Sequence, residues 1–248
     1  MEGIERAAAL VKEARQAVAF TGAGVSAESG IRTFRGQNGL WKQYDPVKTS
    51  TLSHFVEDPS YYWQVSKERW HTYRQARPNP GHYALAELEA QGRLAAVITQ
   101  NTDGLHLAAG TRHLVELHGN GRTVRCLDCG ASEPREEVQA RLDVEMPPRC
   151  LTCGGVHIKP AVVFFGEPLP PSAIEEAARL GMECDLMIVV GSSLAVRPAA
   201  DFPQLALLRG APLVIVNDEP TPLDEPATVV LRGRSGEILP EILRRAGG

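Results

Sequence analysis

At 248 residues, with 43% hydrophobic and 23% charged residues, the chain has the composition of an ordinary globular protein and room for one large domain with a smaller companion. Its net charge of −4 gives no basis for a nucleic-acid surface. No apolar run approaches the roughly 18 residues of a membrane span, so no membrane partner is expected and the expected location is cytoplasmic.

The first fifteen residues read as a charged amphipathic helix. The apolar run Ala17–Phe20 then reads as a strand that ends in Thr21-Gly22-Ala23-Gly24, with a helix start near Ser26. Gly22, Gly24 and Ala27 give G-x-G-x-x-A, a form of the dinucleotide fingerprint in which glycines bring backbone N–H groups to a phosphate. Taken by themselves, these glycines fit a plain strand-to-helix connection equally well. The loop Gly30 to Gly36 carries Arg32, Phe34 and Arg35 and could fold over a phosphate–ribose unit.

Residues 42–80 read as short aromatic-rich helical pieces punctuated by Pro46, Pro59, Pro78 and Pro80, whose rings pack a small helical subdomain. Beyond them, Gly81–Leu88 reads as a helix, and Ala95–Thr99 and His113–Leu117 as strands. The tract 119–159 is polar and bears cysteines. The α/β rhythm returns with a strand at Ala161–Phe165, a helix near Ser172–Leu180, and a strand at Leu186–Val190. A helix near Pro198–Arg209, strands at Leu213–Val216 and Ala227–Leu231, and a helix over Gly236–Arg245 complete the chain. Apolar strands alternating with helices predict an α/β fold, a Rossmann-like parallel sheet covered on both faces. The expected division is 1–35, 81–118 and 161–248 in that sheet domain. Two insertions, 36–80 and 119–160, would form a smaller domain from a helical module and a zinc-ribbon module.

Cys126-x-x-Cys129 and Cys150-x-x-Cys153 stand 20 residues apart, each on a glycine knuckle, which is the spacing of a four-cysteine zinc ribbon. Four thiolates close the coordination shell, so one structural zinc ion per chain is expected. Such paired cysteines fit a reducing compartment. Cys184 reads as a buried free thiol.

Polar clusters follow three of the strands: Gln100-Asn101-Thr102-Asp103 with His106, His118-Gly119-Asn120, and Gly191-Ser192-Ser193. In an open parallel sheet ligands bind beyond the carboxyl ends of the strands, so these clusters describe one site. His106 and His118 are both candidate bases, and His118, at a strand end before a glycine, is the better placed.

These motifs resemble the sirtuins, the NAD-dependent protein deacylases. The resemblance rests on Gly22-Ala23-Gly24-x-Ser26, Phe34-Arg35, Gly39-Leu40-Trp41, Thr99 to His106, Leu117 to Asn120, the C-x-x-C pairs, Val162 to Glu167 and Gly191 to Leu194. It runs from about residue 12 to residue 240, and the Gly30 to Arg35 wording is similar to a bacterial-type and mitochondrial group that includes desuccinylases. It implies that NAD is a co-substrate. Gly22, Ala23, Gly24, Ser26, Gly30, Phe34, Arg35 and Trp41 would bind it, with Gln100, Asn101, Thr102 and Asp103 on the nicotinamide and its ribose. Gly191, Ser192 and Ser193 would take phosphate and ribose. Asn217, Asp218 and Glu219 would hold the adenosine ribose, and Ser235 the adenine side. His118 would be the general base, with Asn101 and Asp103 as further catalytic residues. Val162, Phe165, Gly166, Glu167 and Leu194 would flank an acyl-lysine peptide lying as a strand between the domains.

The implied reaction removes acyl groups from protein lysines, acetyl first and succinyl as a second candidate, giving nicotinamide, O-acyl-ADP-ribose and free lysine. In the desuccinylase-like group a Tyr-x-x-Arg pair reads the acyl carboxylate. Here the matching positions are His71 and Arg74, so acidic-acyl selectivity rests on Arg74 as a bidentate clamp. Two other readings stay open: a mono-ADP-ribosyltransferase on the same scaffold, and a non-catalytic nucleotide-sensing zinc-ribbon module. A monomer is compatible with everything above.

Overall fold

The structure is a computed structural model and describes residues 2–34 and 39–247. Nine strands are present among them: β1 (Ala17–Thr21), β2 (Ala96–Thr99), β3 (Leu114–Glu116), β4 (Gly119–Cys126), β5 (Ser132–Pro134), β6 (Ile158–Val162), β7 (Leu186–Val190), β8 (Leu213–Val216) and β9 (Val229–Leu231). Six form a wholly parallel sheet in the order β3-β2-β1-β7-β8-β9, and β5-β4-β6 form a separate antiparallel sheet.

Every residue of β1, β2, β7 and β8 is buried, as a parallel sheet flanked by helices on both faces requires. Strand alternation splits the core in two. Ala17, Ala19, Val97, Ile188 and Val214 pack against the helices Glu2–Glu13, Pro80–Ala90 and Ser235–Ala246. On the other face Val18, Phe20, Ile98, Met187 and Ile215 meet the helices Pro171–Glu183 and Asp201–Leu208. No helix among the described residues is long and apolar enough to cross a membrane.

The strand order reverses between β1 and β7, and there the glycines act in a way the fingerprint reading did not anticipate. The N–H of Gly22 donates to Val190 O (3.0 Å) and that of Gly24 to Gly191 O (2.8 Å), so neither is left for a phosphate. A Cβ on Gly24 would lie 2.6 Å from the Gly191 Cα, and one on Gly191 only 2.2 Å from the Val25 nitrogen. These glycines let the two strand-end loops touch backbone to backbone. The segment that follows is a 3₁₀ helix over Ala23–Ser29, closed by Gly30 at φ 84°, rather than the start of an α-helix.

Two further expectations are corrected. The aromatic stretch is not a set of short pieces throughout: after the short helices Pro46–Ser50 and Leu52–Glu57, Pro59–Gln75 is one 17-residue helix capped by Asp58. The strand read at Ala161–Phe165 lies three residues earlier and pairs with β4 in the small sheet. The shift hides in the sequence because Lys159 and Pro160 look unlike a strand, whereas in the fold Glu167 neutralises the buried Lys159. The helical stretch and the cysteine-bearing tract feed one core: Phe55 and Trp63 from the helices pack with Val124, Cys126, Val138, Cys150 and Ile158, and Trp63 Nε1 donates to Ile158 O.

Gly191→Ala should be severe. Its φ of 61° strains an L-residue, and the new methyl group would meet backbone, which cannot move aside as a side chain can. A loss of about 3 kcal/mol or more is expected in denaturant unfolding; an unchanged midpoint would remove the loop contact from the account.

Candidate active site

A cavity of about 330 Å³ opens at the switch point between β1 and β7, where ligands of doubly wound sheets bind. Gly24, Gly191, Asn217, Asp218 and Ser235, all among the expected NAD contacts, line it together with Ala27, Glu28, Val216, Gly233 and Arg234. Small residues beside hydroxyl, amide and carboxylate groups suit a flat base and a ribose. Glu28 accepts the Gly236 N–H at 2.7 Å and so holds the start of the last helix against the cavity. Asn217 Nδ2 donates to Glu219 O, folding that strand-end turn on itself. A larger groove of about 610 Å³ lies elsewhere, between the Pro80–Ala90 and Ser235–Ala246 helices. Its only charged lining residue is Glu87, so it offers no convergent chemistry.

Next to the cavity a polar network is built on Ser26. Its hydroxyl donates to Asp103 Oδ2 (2.7 Å) and accepts from Asn101 Nδ2 (3.1 Å). His82, absent from the expected set, contacts the same hydroxyl at 3.3 Å. Because His82 Nδ1 accepts the Asn79 N–H, its Nε2 carries the proton and donates to Ser26. Full burial pushes His82 down to about 4, so it is a neutral donor. The signal for it was the Asn79-Pro80-x-His82 helix start, in which Asn79 caps the Gly81 and His82 N–H groups. Burial also raises Asp103 above the usual carboxylate value, against the bonds from Leu105 N–H and Ser26 that favour its charge.

His106 is excluded as a base. It is 1% exposed, bonded to Thr21 Oγ1 at 2.9 Å, and burial depresses it to about 3. His118 stands differently. Its Nδ1 donates to the Gln100 carbonyl at 3.0 Å, leaving Nε2 as the lone-pair nitrogen of the neutral ring. Burial lowers its pKa while the Gln100 carbonyl pulls the other way. The Gln100 side chain reaches across to Ser192 Oγ at 2.8 Å, and that hydroxyl also accepts the Leu194 N–H. One residue therefore ties the ends of β2, β3 and β7 together. Ser193 lies beside Ser192 in the same loop, and Leu194 takes a left-handed φ of 53°.

The aromatic residues Phe34, Trp41 and Phe165 form a tier, with ring centroids 5.7 Å and 6.3 Å apart in turn, and Phe34 and Phe165 are about half exposed. Ala23 and Gly30 bracket the 3₁₀ helix. Arg35 lies outside the described residues. Phe165 is held by Ser50 and Leu52, Gly166 turns at φ 94°, and Val162 and Glu167 are both engaged by Lys159. The structure does not bring His71 and Arg74 to this cleft. Both are exposed, and Arg74 faces Glu136 at 3.7 Å across solvent. One helical step earlier, Tyr73 points inward: its hydroxyl donates to Thr102 O at 2.5 Å, and its ring stacks on Trp70. The misplacement is one of helical phase, since a residue turns about 100° per position.

The four cysteines cluster, with all sulfurs within 4.8 Å of one another and Cys126–Cys153 and Cys129–Cys150 each 3.7 Å apart. A tetrahedron with Zn–S bonds near 2.3 Å has edges of about 3.8 Å, so the set fits zinc. Two equivalent knuckles present them: Gly130 N–H returns to Cys126 O and Gly154 N–H to Cys150 O. Both glycines have positive φ.

A sequence model of the Sir2 family matches residues 22–198. The chain is 47% identical to the NAD-dependent protein deacylase 2 of Archaeoglobus fulgidus, covering 97% of this chain and 94% of that one. It is 48% identical to the NAD-dependent protein deacylase of Thermococcus kodakarensis over 96% and 94% of the two chains. A solved structure of a Sir2 variant with deacetylated p53 peptide and 3′-O-acetyl-ADP-ribose superposes with a TM-score of 0.95 at 39% identity, covering 98% of each chain. The chain belongs to the Sir2 family.

Removing the metal tests the cysteine cluster. Chelation should release about one zinc per chain and melt the 119–160 module, because a structural zinc site contributes folding free energy directly. A fully folded, metal-free protein in circular dichroism and metal analysis would contradict the assignment.

Proposed function

We propose that this protein is an NAD-dependent protein-lysine deacylase. The observation that carries the reading is the held tautomer of His118, tied through Gln100 to Ser192 across the switch point. Membership of the Sir2 family and relatives named as deacylases support it. The expected partners are acyl-lysine proteins or peptides, and a net charge of −4 fits a protein that works without nucleic acid.

NAD, spent as a substrate, supplies an electrophilic ribose carbon on which nicotinamide is exchanged for the acyl oxygen. The adenosine half fits the cavity lined by Asn217, Asp218 and Ser235. Asn101 and Asp103, oriented through Ser26, take the ribose and nicotinamide end. His82 keeps Ser26 oriented without adding charge. His118 Nε2 accepts a proton from a ribose hydroxyl, which makes that oxygen nucleophilic toward the acyl carbon. A base whose pKa is depressed is unprotonated at neutral pH, so it is ready before substrate arrives. The tier of Phe34, Trp41 and Phe165 shields this step from water.

His118→Ala should keep the fold and lose about 10²–10⁴-fold in turnover. The wild-type kcat profile should fall on acidification with a midpoint below 6.5, because protonating His118 removes the base and burial has moved that protonation downward. Mass spectrometry should find O-acyl-ADP-ribose formed only when an acylated peptide is present. NAD consumption without that dependence would favour ADP-ribosyl transfer.

The acyl pocket is read as neutral. Arg74 faces solvent, and beside it the half-buried Tyr73 turns toward Thr102 and stacks on Trp70. Arg74→Met should therefore leave the ratio of acetyl- to succinyl-peptide kcat/KM within about twofold. Selective loss of succinyl activity would restore Arg74 as a clamp.

A further inference from the structure

Lys159, the second residue of β6, is as withdrawn from water as a core leucine, 4% exposed. Its Nζ donates to Val162 O at 2.6 Å and to Pro160 O at 3.2 Å, and pairs with Glu167 Oε2 at 3.0 Å. The Phe164 ring lies 4.5 Å from the ammonium. Glu167 Oε2 also accepts the Phe164 N–H at 2.7 Å, so the carboxylate folds back over the turn at Gly166. Burial draws the lysine pKa down, and Glu167 opposes that shift. A buried ion pair is weak as a source of stability, because apolar residues of equal volume often serve as well. What it does supply here is geometry.

The segment closed by this pair touches the site at both ends. Val163 N–H donates to His118 O at 2.9 Å. The Phe165 N–H and carbonyl bond Ser50 and Leu52, holding an exposed aromatic ring beside Trp41. A carbonyl oxygen has two lone pairs, and Val162 O already commits one of them to an ammonium, which fixes the direction left to an incoming strand. With Val162 O held by Lys159 and the Gly166 turn held by Glu167, an extended peptide pairs in the frame this fixed segment offers.

We propose that the Lys159–Glu167 ion pair is a positioning device that sets the register of the bound substrate peptide along Val162–Gly166. The proposal rests on the deacylase reading above and adds to it a residue that touches neither NAD nor the acyl group. Lys159→Met/Glu167→Gln removes both charges, leaving neither buried alone. Its KM for an acetyl-lysine peptide should rise about tenfold, with kcat and the KM for NAD within about twofold of wild type. Fluorescence anisotropy of a labelled acetyl-peptide without NAD should show the same loss of affinity. Glu167→Gln alone keeps an acceptor for Phe164 N–H and should raise the same KM by less, which decides the matter if the double variant does not fold. Unchanged peptide KM and affinity would overturn the proposal. So would a fall in kcat with peptide affinity intact, which would place the pair's effect on His118. A wild-type protein inactive on every acyl-peptide would instead overturn the deacylase reading, and peptide affinity by anisotropy would still report on the pair.

Discussion

The site depends on a contact between two pieces of backbone. Gly24 and Gly191 approach so closely that neither tolerates a side chain, and the Gly24 N–H donates to the Gly191 carbonyl. This contact joins β1 to β7 at the point where strand order reverses, and it fixes the separation of everything the two loops carry. Ser26 is positioned from one side and Ser192 from the other. Gln100 can bridge to Ser192 only because the gap has that width.

Around this junction the protein keeps its histidines neutral by burial. His82 and His106 have rings 4.9 Å apart, and two protonated imidazoles at that distance in a dry core would repel strongly. Desolvation removes the difficulty by pushing both far below the ordinary histidine value. They act as fixed dipoles that orient hydroxyls on Ser26 and Thr21. His118, less deeply placed, keeps a free Nε2. Three histidines thus do different work through degree of burial and hydrogen-bond partner.

The four central strands of the parallel sheet were legible because each is an apolar run buried on both faces: Leu186–Val190 and Leu213–Val216 fall where the sequence put them. The cysteine cluster was legible from spacing, and the switch-point loops from their polar composition. What could not be read was long-range. Lys159 looks like a strand breaker until Glu167 is brought beside it. The helical phase that turns Tyr73 inward and Arg74 outward depends on where Trp63 docks, and Trp63 docks on Ile158, 95 residues away. The glycine fingerprint was found for the wrong reason, since its N–H groups serve the neighbouring loop before any ligand.

The core shared by the helical stretch and the cysteine-bearing tract joins metal supply to the chemistry by mass action. Cys126 and Cys150 are buried with Trp63 and Phe55, and the Trp63 helix also carries Tyr73, whose hydroxyl steadies the carbonyl of Thr102 between Asn101 and Asp103. A ligand that binds only the folded form stabilises every element that folds with it, by RT ln(1 + [L]/Kd). Ion binding at the sulfurs is therefore spread through the tryptophan helix to a loop of the polar network built on Ser26. In hydrogen exchange these two stretches, distant in sequence, would open together as one foldon, and free zinc would set how often they do.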